Sequence, residues 1–153
     1  MADLSELLQK AKTLAHEKSY EKVLEVGKQM LDQDVDSVEA LAEMANAYWH
    51  LGRLYRAEKY VKKVLELDSS QPLAWYNRGL IESKREHYKD AAKAFRRAVD
   101  LQPDFANAWN MLGLGLFQQN KMEEAELCLL KALELEPENE YARKNLNAVR
   151  SHR

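Results

Sequence analysis

Few of the side chains able to do chemistry stand where chemistry needs them. Cys128 is the single cysteine, so it has no internal disulfide partner. Glu124 and Glu126 lie close to it in sequence and would raise the pKa of its thiol, so it reads as a packing residue and not as a nucleophile. The histidines are His16, His50, His87 and His152. His16 and His50 share a register, but residues so related sit on helices about 10 Å apart, too far to share a metal ion. Paired carboxylates such as Glu123-Glu124 fall on an exposed helical face. The sequence contains no phosphate-cradling loop, dinucleotide fingerprint or nucleophile elbow. These residues point away from an enzyme and away from any cofactor or metal. What remains to meet a ligand is a set of amides and aromatic rings, and their positions depend on the elements that carry them.

The chain has 153 residues, 46% hydrophobic and 31% charged, with only five Gly and three Pro. That balance favours helix over sheet or disorder. No apolar run is long enough to span a membrane, and the N-terminal residues lack the basic and apolar regions of a signal peptide. With a lone cysteine, this suggests a reducing, cytoplasmic setting.

Apolar residues recur at three-and-four spacing throughout. Leu4, Leu7, Leu8, Ala11, Leu14 and Ala15 mark one helix, opened by Asp3 and Glu6 as a capping box. Tyr20, Val23, Leu24, Gly27, Met30 and Leu31 mark the next. Leu41, Met44, Ala45 and Tyr48 line a third, ended by Gly52 in a permissive backbone. Leu54, Ala57, Val61, Val64 and Leu65 line a fourth. Ser70, with Pro72 in the first turn, is the expected cap of a fifth helix. Asp104 is the expected cap of a seventh, and Asn120 takes the place of Gly52 at its end. Tyr141, Ala142, Leu146 and Val149 give the last helix its apolar stripe. In all, nine helices of roughly 12–15 residues are expected, joined by short turns.

The pattern is periodic. Trp109, Gly113, Ala125, Ala132 and Pro137 each follow Trp75, Gly79, Ala91, Ala98 and Pro103 by 34 residues. With Tyr88 and Phe95, this resembles the tetratricopeptide repeat (TPR). Residues 72–105 and 106–139 are the clear copies, 38–71 is a fair one and 4–37 a degenerate one. Residues 140–151 serve as a capping helix, and the whole chain reads as a single domain. The resemblance implies an all-α, right-handed superhelical solenoid of antiparallel helix pairs. First helices would line a concave groove, and the function would be protein-protein interaction as a scaffold or chaperone-like adaptor. Small residues at Gly79, Ala91 and Ala98 let helix backbones approach, while Trp75 and Trp109 are expected in the core.

In the family the groove is lined by set positions of each first helix. Here these give Asn46, Trp49, Leu73, Tyr76, Asn77, Leu80, Asn107, Asn110, Met111, Leu114 and Phe117 as peptide-binding candidates, with Glu39, Ala42, Glu43, Leu8, Lys12 and Ala15 beside them. Trp49 is out of register with Trp75 and Trp109, so the repeat does not require it. Large apolar groups on such a face suit an apolar or amphipathic segment. The amides can donate to and accept from a peptide backbone. Some family members clamp the C-terminal carboxylate of heat-shock proteins with two Asn and three cations. Asn46 and Asn77 match the amides, but Ala42, Asn107 and Met111 occupy the cation positions. A carboxylate needs charge-assisted donors to leave water, so no such clamp is expected.

Charge is uneven. Residues 1–51 hold 5 basic and 10 acidic side chains, 52–103 hold 12 and 7, and 104–153 hold 6 and 8. This leaves a second reading open, a self-associating module in which the acidic first repeat meets the basic middle of a neighbour. The sequence pI near 6.1 argues against nucleic acid.

Overall fold

The computed structural model describes residues 2–152. Among them are nine α-helices. They are α1 (Leu4–His16), α2 (Tyr20–Gln33), α3 (Val38–His50), α4 (Leu54–Leu67), α5 (Pro72–Lys84), α6 (Tyr88–Leu101), α7 (Ala106–Gln118), α8 (Met122–Leu135) and α9 (Glu140–Ser151). The odd-numbered helices start at residues 4, 38, 72, 106 and 140, and the even-numbered ones at 20, 54, 88 and 122. The period legible in the amino acids is therefore the period of the helix starts.

The turns inside the pairs explain this regularity. Gly52 and Asn120 adopt positive φ, as their residue types suggest, but so do Lys18 (φ 62°) and Glu86 (φ 63°) at the same register. After each, a backbone N–H reaches back across the helix end: Ser19 to Leu14 O, Arg53 to Tyr48 O, His87 to Glu82 O and Lys121 to Leu116 O, all at 2.8–2.9 Å. These bonds satisfy carbonyls left orphaned at the helix end. The turn geometry holds even where Lys and Glu must accept a backbone that favours glycine.

Helix starts differ from expectation in two places. α7 begins after Phe105, which makes no side-chain cap, so Asp104 lies one residue too early. Ser70 turns inward on its own loop, its N–H donating to Asp68 Oδ1 at 3.0 Å, while α5 begins at Pro72. Asp3 does cap α1, accepting from Glu6 N–H at 2.8 Å, and Ser37 and Asn139 cap α3 and α9 in the same way.

The chain forms two compact units that divide at Asn77/Arg78, inside α5. In the first, α1 packs on α2 and α3, α2 on α3, and α3 on α4. Leu7, Ala11, Val23, Met30, Met44 and Ala57 are buried there. A Cβ on Gly27 would collide with the Met44 side chain, which shows how near α2 and α3 lie. In the second unit α6 packs on α7, α7 on α8 and α9, and α8 on α9. Phe95, Leu112 and Leu129 are fully enclosed there. A Cβ on Gly79 would stand 2.5 Å from the Phe95 ring, and one on Gly113 2.7 Å from Leu129 Cγ. α9 buries Ala142, Leu146 and Val149, but Tyr141 is 77% exposed and lies outside its stripe.

Trp75 and Trp109 are half-buried loop ties and not core residues. Each indole N–H donates to a backbone carbonyl six residues earlier, Trp75 to Ser69 O (2.8 Å) and Trp109 to Pro103 O (2.7 Å). The N–H of a tryptophan needs a partner when it leaves water, and the loop supplies it.

Candidate functional site

α3 presents Glu43, Asn46 and Trp49 at three-residue spacing, hence on one face. All three are half-buried. No described residue hydrogen-bonds to the Asn46 amide, pairs with Glu43 within ion-pair distance, or accepts from the buried Trp49 Nε1. Burial pushes the Glu43 carboxyl above its ordinary pKa, and the Lys12 ammonium pulls it partway back. Trp49 is held at its edge by His50, with ring centres 5.1 Å apart, and His50 stacks flat on Tyr20 at 4.3 Å. Burial, and then the nearby Lys18, lower the His50 pKa, which disfavours the charged ring.

At the end of the first unit, Leu73 and Tyr76 are half-buried, and burial pushes the Tyr76 phenol up to about 12. Asn77 is fully enclosed, with neither amide atom hydrogen-bonded. An unpaired buried amide costs about 1–3 kcal/mol.

In the second unit Leu80 is 7% exposed. On α7, Asn107 is exposed, while Met111, Leu114 and Phe117 are half-buried. Asn110 is buried, and its amide oxygen accepts from Asn145 of α9 at 2.9 Å. It is spent on holding the capping helix, a role invisible in the sequence because the partner lies 35 residues away. Phe117 likewise meets the His152 ring edge-on at 5.2 Å. Of the α7 candidates, Asn107, Met111 and Leu114 keep the more open positions.

Charged groups elsewhere find internal partners. Arg53 bonds Glu21 at 2.6 Å and Lys63 approaches Asp36 at 3.8 Å, so part of the acidic first repeat is neutralised by the second within the chain. One cluster of metal-ligand type was not anticipated: Glu82, His87 and Asp90 have ligand atoms within 4.8 Å of one another. Glu82 occupies the register filled by Tyr48 and Leu116 in the neighbouring copies, so its carboxylate is largely covered. His87 Nδ1 lies 2.8 Å and Arg85 3.8 Å from it. Cys128 is buried, and burial pushes its thiol up to about 11, which leaves it inert near neutrality. No helix among the described residues is long and apolar enough to cross a membrane.

Residues 38–149 match the family model of the cilia and flagella-associated protein 70 middle TPR-like domain, and the chain belongs to this TPR-like family. Among the described residues it is all-α, and nine helices pack pairwise as in a TPR solenoid. It is similar to the tetratricopeptide repeat-containing protein trd-1 of Caenorhabditis elegans, at 32% identity over 96 residues, which cover 58% of this chain and 12% of that one. The chain spans at most a third of the length of the first curated relatives it matches. Among solved structures it resembles MamA of Desulfovibrio magneticus RS-1 with a TM-score of 0.78 and 26% identity, covering 99% of this chain and 86% of that one. It also resembles the first TPR of Spaghetti (RPAP3) bound to the HSP90 peptide SRMEEVD, with a TM-score of 0.72 and 26% identity, covering 78% and 94%. TPR proteins mediate protein-protein interactions, and that level of function follows from membership.

Proposed function

We propose that this chain is a non-catalytic adaptor that holds an extended segment of a partner protein on the exposed faces of its first helices. The observation that carries this is the α3 row. Glu43, Asn46 and Trp49 share one face, are half withdrawn from water, and are left without internal hydrogen bonds or ion pairs. Groups in that state gain most from a ligand that completes them. A peptide backbone fits the need at Asn46, whose amide can donate to its carbonyls and accept from its N–H groups, while the enclosed Trp49 N–H reaches a carbonyl only after its surroundings shift. In the first unit Leu73 and Tyr76 add apolar surface, and Asn77 joins only after the side chains enclosing it shift. In the second unit, Asn107, Met111, Leu114 and Phe117 on α7 offer a separate, mainly apolar surface, with Leu80 buried beneath and Asn110 committed to α9. The segment is therefore apolar or amphipathic.

The heat-shock carboxylate clamp is not part of this proposal. Ala42 is buried and Met111 half-buried at two of its cation positions, and Asn107 at the third carries no charge. The self-association reading rests on charge segregation alone, and two of its groups, Arg53 and Lys63, lie against first-repeat carboxylates inside the chain. A cytoplasmic setting suits an adaptor with an inert lone thiol.

Peptides selected for binding to the parent chain from a random extended-peptide library test the site. Asn46→Ala and Trp49→Ala are each expected to weaken the selected peptides by about tenfold or more. Leu114→Glu should do the same for peptides that reach the second face. Correctly folded variants that bind every selected peptide as the parent does would overturn the proposal.

A further inference from the structure

The loop ties described above recur at one register in α5, α7 and α9, whereas α1 and α3 carry Leu7 and Leu41 there. Trp75 and Trp109 reach the carbonyl six residues earlier, and Arg143 of α9 does the same, its Nη2 donating to Pro137 O at 2.7 Å. The residue at this register in α3 is Leu41, six residues after Val35. Leucine has no donor, and Val35 O accepts no hydrogen bond from any described residue. At this place a cleft of about 210 Å³ opens, lined by Leu31, Val35, Leu41, Lys59, Tyr60 and Lys63. Tyr60 stands where the next two copies carry Ala94 and Cys128, and it lines the cleft. Its floor is apolar, and two lysines stand exposed at its rim, Lys63 with Asp36 as a distant partner at 3.8 Å.

We propose that this cleft accepts a tryptophan side chain from an acidic segment of a partner protein. The ring lies on Leu31, Leu41 and Tyr60, the indole N–H donates to Val35 O, and flanking carboxylates meet Lys59 and Lys63. The repeat supplies the template, because the protein's own indoles already make this contact at Ser69 and Pro103. Leu41 leaves α3 on the side opposite Glu43, two residues away, so the cleft is distinct from the first-helix face.

The probes are N-acetyl-tryptophan and its uncharged amide, titrated into the isotope-labelled chain and followed by amide chemical shifts. Both are expected to shift Val35, Leu41 and Tyr60, with the acid binding severalfold more tightly at low salt and the two converging at high salt. Leu41→Trp places an indole there permanently. In a chain that folds, it should weaken probe binding by at least about tenfold. Trp49→Ala should leave probe binding unchanged, which separates this site from the first-helix face. Absence of shifts at the three amides in the parent overturns the proposal whether or not Leu41→Trp folds. So does a folded Leu41→Trp chain that binds the probes as the parent does. Equal affinity for acid and amide at low salt removes the acidic flank from the proposed partner.

Discussion

Two glycines on one helix test how closely the second unit is packed. Gly113 and Gly115 both lie in α7, two residues apart, and both are buried. Replacing either with alanine gains helix propensity worth about 1 kcal/mol. The surroundings then separate them. A Cβ on Gly115 would rest 3.6 Å from Ala92 Cβ, an ordinary contact. A Cβ on Gly113 would stand 2.7 Å from Leu129 Cγ, 2.9 Å from its Cδ2 and 3.2 Å from Ala125 O. Leu129 is fully buried and is struck at its branch point, near its root, so it cannot swing aside. Overpacking of this kind costs about 1–3 kcal/mol. Gly115→Ala should therefore stabilise the chain by about 0.5–1 kcal/mol, and Gly113→Ala should destabilise it by up to about 2 kcal/mol after the propensity gain is credited. Urea unfolding followed by circular dichroism should place the two midpoints about 1 M apart on opposite sides of the parent, with similar slopes. Midpoints that move together, in the same direction and by the same amount, would refute the claim that the small residue at Gly113 is there for helix contact.

Glu86 holds a left-handed backbone at a register where Gly52 does so without strain, so Glu86→Gly should raise stability by about 0.5–1 kcal/mol in the same assay. Cys128 and Tyr76 have folded pKa values raised by burial, from 9.0 to about 11 and from 10.0 to about 12. Their contributions are fully present below the unfolded values and are lost as pH rises through the folded ones, so stability should fall above about pH 9. Cys128→Ala should flatten the part of that fall between pH 9 and about 11, measured by urea midpoints across the range.

The helices and their period are legible in the amino acids alone. Apolar spacing marks a buried stripe, and a 34-residue recurrence of Trp, Gly, Ala and Pro marks a stacked unit, because both depend on residues near one another in the chain. The face carrying Asn46 and Trp49 was legible for the same reason, since helical spacing alone places them together. Partners lying a repeat or so away were not legible. Asn110 looks like an open amide until α9 brings Asn145 to it across 35 residues. Lys18 and Glu86 give no sign of a left-handed turn; the packing of each helix pair imposes one. Trp75 and Trp109 look like core until the loops before them are seen to need a donor. Leu41 looks like an ordinary core leucine, and only the loop carbonyl of Val35 and the cleft beside it reveal the indole missing at that register. Local periodicity fixes which face a side chain takes, whereas its hydrogen-bond partner and the space around it depend on what folds back against it.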